Sequence, residues 1–497
     1  MIIDIVLVYA MGKGGLEDVI STTSKELVKR GHTVRIFQAY PPQYMEWCGT
    51  LEQIYYYGEK GDLDSEDSLS LSNGYKNILS QLEKPDVILA THAPNLSFIC
   101  RNAIAQLDIK EPPIISWLHG PPEYFGGQRS LKYSDAHLAI STIIGNSIQE
   151  NVMEDIPVYY IGNPVNMGDF KRIPRSNNGL KLLYIGRLSE HEKRLSTLFR
   201  GLEKLQGKWS LSIIGDGPDR GYLENLSKEL DIFHKIDWLG WQRNPWDCVE
   251  CADVLVLSSD FEGFGLVLVE ALGRGIPVIS TKCAGPIDIV REHENGWLVT
   301  VGDWQGFSET FQQIMDGKKR LPDAEICEKS VEKFRAPNVI NKIEQILNYY
   351  YRVSLEGENY SSLENYVVKD DLIYKSEIVN LAIQTTIDGI QYLGSSSTSN
   401  ERDKLVKWFS LDFIEVIEND MDSQVDVELS ATVCSPKVTA INYTCTKANV
   451  EFVLHNIGQE FGNILDEKVN CSVTLSNQGG IWKIFSLSVS EPLVSLQ

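Results

Sequence analysis

Two glutamates, Glu262 and Glu270, frame the stretch Phe261-Glu262-Gly263-Phe264-Gly265-Leu266-Val267-Leu268-Val269-Glu270, with seven residues between them. The apolar run Val254-Leu255-Val256-Leu257 lies upstream and reads as a buried parallel strand. A Gly-flanked loop follows, then the helical run Val267-Leu268-Val269-Glu270-Ala271-Leu272. Such a loop offers backbone N–H groups and a helix start to an anion. A carboxylate before the loop and another inside the helix could hold hydroxyls on either side of that anion. A diphosphate flanked by two hydroxyl-rich rings is the chemistry of a nucleotide sugar. Either glutamate alone fits a surface carboxylate beside a helix cap; the spacing in this setting carries the reading.

Other residues could serve the same chemistry. Ile185-Gly186-Arg187-Leu188 ends a strand, with Lys193 and Arg194 shortly after, so two cations would stand at a crevice mouth, where a leaving diphosphate needs countercharge. Solvated loop charges fit the local pattern equally. Gly12-Lys13-Gly14-Gly15 follows the first strand and opens a helix, placing Gly14 and Gly15 where backbone approaches a phosphate or sugar; the rival is a plain tight turn. Gly215-Asp216-Gly217 and Gly240-Trp241 follow two further strands and would line a nucleobase pocket, although turns look alike. His119, after Trp117-Leu118, sits at a strand end facing the cleft and could hydrogen-bond a sugar hydroxyl or a reacting group. The other histidines, His92 included, read as structural. Asp62-Leu63-Asp64 and Asp420-Met421-Asp422 are D-x-D patterns in polar surroundings and read as solvated loops, so no metal site is expected.

Alternating strands and helices must position these groups. Strands are expected over 2–9, 33–38, 87–91, 114–118, 137–140 and 158–161, then over 180–185, 209–214, 236–238, 254–257, 277–280 and 296–299, with helices such as 17–30 and 220–230 between them. That alternation implies parallel sheets covered on both faces. A dozen strands exceeds one doubly wound sheet. Two facing Rossmann-like domains follow, over 1–165 and 166–337, with a closing helix near 338–352 packing back on the first. Residues 354–375 read as a polar, acidic linker. Residues 376–497 read as an α+β domain: helices over 376–393 and 401–419, then strands over 425–434, 438–445, 450–457, 467–476 and 481–489. That order is similar to an NTF2-like or cystatin-like cone.

The chain has 497 residues and a formal net charge of −22, which disfavours nucleic acid and anionic membrane surfaces. The start MIIDIVLVYA is a strand and not a signal peptide, and no run is long enough to cross a membrane. The nine cysteines are scattered, with one C-x-x-C at Cys248 and Cys251 on an apparent helix; two thiols fit better than zinc, and a reducing cytoplasm is expected.

Together these residues resemble the retaining GT-B glycosyltransferases of family 4, whose E-x7-E signature falls on Glu262 and Glu270. Within that family the likeness is to the lipopolysaccharide 1,6-galactosyltransferase type. It rests on Ala136-His137-Leu138-Ala139-Ile140-Ser141, Ile213-Ile214-Gly215-Asp216-Gly217, Gly240-Trp241-Gln242, Pro245-Trp246 and Ala284-Gly285-Pro286. It covers about residues 1–352; Gly265 stands where the family pattern has proline. The resemblance implies transfer of a hexose (galactose, glucose or N-acetylhexosamine) from a UDP-sugar to a glycan, glycolipid or protein, without a cofactor or metal. It implies that Glu262 meets the sugar, Glu270 the ribose, the backbone of Phe264, Gly265 and Leu266 the phosphate or sugar, and Arg187 and Lys193 the diphosphate. Gly14, Gly15 and His119 match the family's glycine loop and cleft histidine. A nucleotide-sugar epimerase, a glycoside phosphorylase on the same fold and a non-catalytic partner subunit are the alternatives. The tail beyond residue 354 carries 21 acidic and 9 basic residues and no clustered acid–base groups, so it is expected to dock acceptor or form a homodimer.

Overall fold

The computed structural model describes residues 1–59, 67–152, 156–356, 428–441, 447–460, 463–478 and 481–489. The chain divides into two units, Met1–Tyr360 and Ser361–Gln497. The first unit holds two sheets. One contains β1 (Ile2–Val6), β2 (Thr33–Gln38), β3 (Ile54–Tyr56), β4 (Val87–His92), β5 (Ile114–Leu118), β6 (Ala136–Ala139) and β7 (Val158–Tyr160), ordered β3-β2-β1-β4-β5-β6-β7. The other contains β8 (Leu180–Ile185), β9 (Trp209–Ile214), β10 (Ile236–Gly240), β11 (Val254–Leu257), β12 (Val278–Thr281) and β13 (Gly296–Val299), ordered β10-β9-β8-β11-β12-β13. All neighbours in both sheets are parallel. Every residue of β5 and β11 is buried, as continuous apolar strands in a doubly covered sheet must be. This is the expected pair of Rossmann-like sheets, the GT-B architecture.

β3 was absent from the expected strands. Its three residues, Ile54, Tyr55 and Tyr56, are half-buried at a sheet edge, too short to show a period. Aromatic residues of this domain divide between core and surface. Trp47 is buried and its Nε1 donates to Ser21 Oγ at 2.9 Å, and Tyr57 donates to the Leu7 carbonyl at 2.9 Å. Tyr44 and Tyr124 stay exposed.

The helix Ala336–Glu356 returns to the first sheet's domain. Glu344 accepts from Arg30 Nη1 at 2.6 Å and faces His32 Nε2 at 2.8 Å, and the Tyr159 and Tyr350 hydroxyls meet at 3.1 Å.

The second unit contains an antiparallel sheet of β14 (Glu428–Ile441), β15 (Lys447–Glu460), β16 (Asn463–Gln478) and β17 (Ile481–Val489) in sequential order. The strands expected over 425–434 and 438–445 are here one strand, β14, with a register shift between Cys434 and Lys437. Pro436 falls in that shift on an edge strand, where its missing N–H is tolerated. The helices expected over 376–393 and 401–419, the linker beyond Glu356 and both D-x-D segments lie outside the described residues.

Candidate active site

The strand order of the second sheet reverses between β8 and β11, and ligands of open α/β sheets bind beyond strand C-termini at such a point. Arg187 follows β8 and Glu262 follows β11. The two loops are stitched together. Ser258 Oγ donates to the Lys193 carbonyl at 2.9 Å, the Asp260 N–H donates to the Glu192 carbonyl at 2.9 Å, and Arg194 pairs with Asp260 at 2.7 Å. Lys193 closes the short helix Glu190–Lys193. Its Nζ donates to Glu262 Oε2 at 2.6 Å, with both side chains 18% exposed. Burial alone would lower the Lys193 pKa; the Glu262 charge and hydrogen bond outweigh it and hold the ammonium above its ordinary range. Arg187 is exposed and has no ion pair or side-chain hydrogen bond among the described residues. The basic pair read from sequence therefore separates: one cation is engaged with Glu262 and the other is open to solvent.

The loop after Glu262 turns through Gly265 at φ 93°, a left-handed conformation that suits glycine. The Gly285 N–H donates to the Glu262 carbonyl at 2.9 Å, while Phe264 is buried edge-on against Phe334. The helix that follows, Leu266–Leu272, has only seven residues, so free backbone N–H groups and not a long macrodipole would meet an anion. Glu270 lies on this helix and accepts from Trp246 Nε1 at 2.7 Å. Burial raises the Glu270 pKa, partly offset by that hydrogen bond and by the Arg274 charge. Arg274 lies 4.3 Å from the Trp246 ring centroid. Trp246 is a supporting residue to which sequence reasoning assigned no role; a lone indole gives no signal of the carboxylate it holds. It sits on the 3₁₀ turn Pro245–Cys248, not on the helix expected for the C-x-x-C, because Pro245 and irregular backbone after Cys248 replace helical periodicity. Cys251 instead accepts from Lys181 Nζ at 3.1 Å.

Loops of the first sheet complete the cleft. A Cβ on Gly263 would stand 2.6 Å from the His119 carbonyl oxygen, and one on Gly15 would stand 2.8 Å from Leu266 Cδ1. Tyr124 stacks on Phe261 at 5.5 Å with an interplanar angle of 5°. Thr142 donates from its N–H (2.7 Å) and its hydroxyl (2.6 Å) to the Asp288 carboxylate across the two domains. Burial pushes the Asp288 pKa up to about 6 despite the Thr142 hydrogen bonds and the Lys333 charge. Sequence spacing, which reads each strand–loop–helix unit separately, could not have paired Thr142 with Asp288.

The remaining expected residues are distributed as follows. The Gly12 N–H is taken by Glu17 Oε1 at 2.9 Å, and Gly14 lies against the same carboxylate. Gly215 packs on the Gly186 carbonyl, and its N–H donates to the Gly240 carbonyl at 2.8 Å. Trp241 is 50% exposed, with the Lys13 ammonium from the opposite domain 3.5 Å from its ring centroid. His119 is half-buried beside Trp117 (4.7 Å between centroids), and its Nε2 has no hydrogen-bond partner. Burial, helped by neighbouring His92, holds its pKa well below the ordinary range, so the ring is neutral.

Comparison with known proteins agrees with this architecture. The family described as glycosyl transferases group 1 matches residues 168–333, and glycosyltransferase family 4 matches residues 13–168. The lipopolysaccharide 1,6-galactosyltransferase of Salmonella typhimurium is 34% identical over 262 residues, covering 50% of this chain and 71% of that one. Among solved structures, the lipopolysaccharide outer core galactosyltransferase WaaB superposes with a TM-score of 0.64 at 26% identity, covering 70% of this chain and 99% of that one. The HepE protein of Anabaena, solved in complex with UDP-glucose, superposes with a TM-score of 0.57 at 18% identity, covering 70% of this chain and all of its own, a likeness of fold. The class is thus a GT-B glycosyltransferase. The chain belongs to the group 1/family 4 glycosyltransferases and is similar to the lipopolysaccharide 1,6-galactosyltransferases.

Proposed function

We propose that this chain is a retaining glycosyltransferase that moves a hexose from a UDP-sugar to a hydroxyl of a glycan or glycolipid, with no metal. The observation that carries this reading is the Lys193–Glu262 pair at the second sheet's switch point, with the exposed Arg187 on the loop after β8 and His119 across the cleft. The similar proteins named for galactose transfer to lipopolysaccharide support a hexose and a glycan-bearing acceptor, and HepE with UDP-glucose supports the uridine donor.

In this reading the exposed Arg187 guanidinium meets the diphosphate first. Lys193 has three donor positions; one orients Glu262 on the sugar hydroxyls and the others remain for phosphate oxygen. The backbone at Phe264, Gly265 and Leu266 holds phosphate or sugar. Glu270, fixed by Trp246, takes the ribose hydroxyls, and Gly215 and Trp241 border the base once Lys13 leaves the indole. Gly14 and Gly15 let the first domain close on the donor. Transfer proceeds on the face the diphosphate leaves. The acceptor oxygen bonds to the anomeric carbon as the bond to phosphate oxygen breaks, and the acceptor proton passes to that phosphate oxygen. The two cations stabilise charge that grows in this step. The tail supports acceptor docking or pairing with a second copy.

The test is turnover of UDP-galactose, UDP-glucose and UDP-N-acetylglucosamine with lipopolysaccharide core oligosaccharides, before and after exhaustive chelation, with the product anomer read by NMR. The reading expects an α-linked product at an unchanged rate after chelation. A β-linked product overturns retention, and a loss restored by magnesium or manganese overturns metal independence.

A further inference from the structure

The second sheet carries a hollow at the end opposite the donor cleft. Lys181 lies at the start of β8 and Trp209 at the start of β9, whereas Arg187 and Glu262 follow strand C-termini. A cavity of about 380 Å³ opens there, lined by Arg175, Lys181, Lys208, Trp209 and Cys251, with serines and asparagines between them. Among the described residues no carboxylate lines it. The hydrogen-bond partners of its three cations are neutral groups and a sulfur. Arg175 donates to the Leu321 and Pro322 carbonyls, Lys208 Nζ to Asn178 Oδ1 at 2.7 Å, and Lys181 Nζ to Cys251 Sγ at 3.1 Å. The nearby carboxylates are placed otherwise. Asp253 is buried and accepts from the Ser176 and Lys181 backbone N–H groups, and Glu250 is exposed. A cationic hollow with a thiol in its wall thus stands in a chain of net charge −22. Cys251 is half-buried in that wall, while its C-x-x-C neighbour Cys248 is exposed and outside the lining. Cys48, also half-buried, meets the neutral Tyr56 hydroxyl at 3.4 Å.

We propose that Cys251 is a thiol–disulfide exchange site for small disulfides that carry carboxylates, of which glutathione disulfide is the type, with Arg175, Lys181 and Lys208 receiving the carboxylates. The thiolate is the nucleophile in such exchange, and a neighbouring cation favours it. The Cys251 sulfur gives its proton to water and attacks one sulfur of the small disulfide, with the Lys181 ammonium as countercharge. The new S–S bond forms as the old one breaks. The electron pair leaves on the second sulfur, which takes a proton from water and departs as a free thiol. Cys251 is oxidised to a mixed disulfide and the small disulfide is reduced, so no further oxidant is needed. Sugar transfer plays no part in this chemistry, and the site stands apart from the glycosyltransferase reading.

The chain's own charge makes the test sharp. A net charge of −22 repels an anionic reagent and attracts a cationic one; only a local cationic site reverses that order. The full chain is treated with glutathione disulfide, which is net negative, and with cystamine, which is net positive. Rates of adduct formation are read at each cysteine by intact mass and peptide mapping. Relative to Cys248 in the same chain, Cys251 should favour glutathione disulfide over cystamine by about tenfold or more, the size of one charge-assisted hydrogen bond. Added salt should shrink that preference. Lys181→Met should slow glutathione disulfide at Cys251 by about tenfold, and Lys181→Arg, which keeps the cation, should recover part of the rate. The comparison of the two cysteines is made in the wild-type chain and decides the matter even where Lys181→Met unfolds. Equal preference at Cys248 and Cys251 overturns the proposal, as does a wild type that forms no adduct at Cys251 or a folded Lys181→Met that reacts at the wild-type rate.

Discussion

Lys193 and Glu262 should fail as a unit. Their 2.6 Å contact joins two side chains that are each 18% exposed, so neither charge is fully solvated and neither is free to act alone. A hydrogen bond between charged partners contributes about 1.5–3 kcal/mol, and each 1.36 kcal/mol is about tenfold in rate. Lys193→Met removes the cation and leaves the Glu262 carboxylate half-buried without it. Glu262→Gln keeps an oxygen that can accept from Lys193 but removes the charge. If Lys193 served only the diphosphate and Glu262 only the sugar, their losses would multiply. Because the ammonium orients the carboxylate, the double variant should turn over no more slowly than the worse single variant, about 10²–10³ below wild type. The missing part of the product, about 1.5–3 kcal/mol, is the coupling energy. The assay is UDP release from UDP-galactose for wild type, both singles and the double, with thermal unfolding of each. Lys193→Met should lower the unfolding midpoint, and adding Glu262→Gln should restore part of it, since no lone carboxylate then remains. Losses that multiply, or an Lys193→Met midpoint equal to wild type, would refute the coupling.

The Thr142–Asp288 contact gives a pH test. A carboxyl raised to about 6 in the fold from 3.8 binds its proton earlier than the unfolded chain does, so its fold gains stability as pH falls from about 6 toward about 4. Asp288→Asn, neutral throughout, should therefore match or exceed the wild-type unfolding midpoint at pH 7–8 and lose that advantage by about pH 4; a gap independent of pH would show that Asp288 does not titrate in the fold. The two close-approach glycines should respond differently. Gly263→Ala places a Cβ against the rigid His119 carbonyl, while Gly15→Ala meets only the tip of Leu266, so the first should weaken donor turnover much more than the second. Equal turnover in the two variants would mean that the domains do not close along this line.

The second sheet was largely legible because its central strands β11 and β12 are buried apolar runs, and Arg187 and Glu262 lie on the loops that follow β8 and β11. Glu262, Glu270, Arg187 and Lys193 could be named from spacing because each lies in the segment that follows β8 or β11, whose ends the switch point brings together. What spacing could not supply were contacts between units distant in the chain. Trp246 reaches Glu270 from a 3₁₀ turn, Asp288 receives Thr142 from another domain, and Lys13 lies over Trp241 across the cleft. β3 escaped because three residues hold no period, and β14 was divided because Ser435-Pro436 reads as a turn although an edge strand absorbs it as a bulge.

If the Glu262–Glu270 loop is a UDP-sugar site, the two glutamates have divided roles: Glu262 on the sugar and Glu270 on the ribose. Calorimetric titration of UDP into wild type, Glu262→Gln and Glu270→Ala tests it most directly. The expected result is one UDP per chain, an affinity within about twofold of wild type for Glu262→Gln, and a loss of about tenfold or more for Glu270→Ala, the size of one charge-assisted hydrogen bond to the ribose. No UDP binding by wild type, or equal affinities in the two variants, would contradict it.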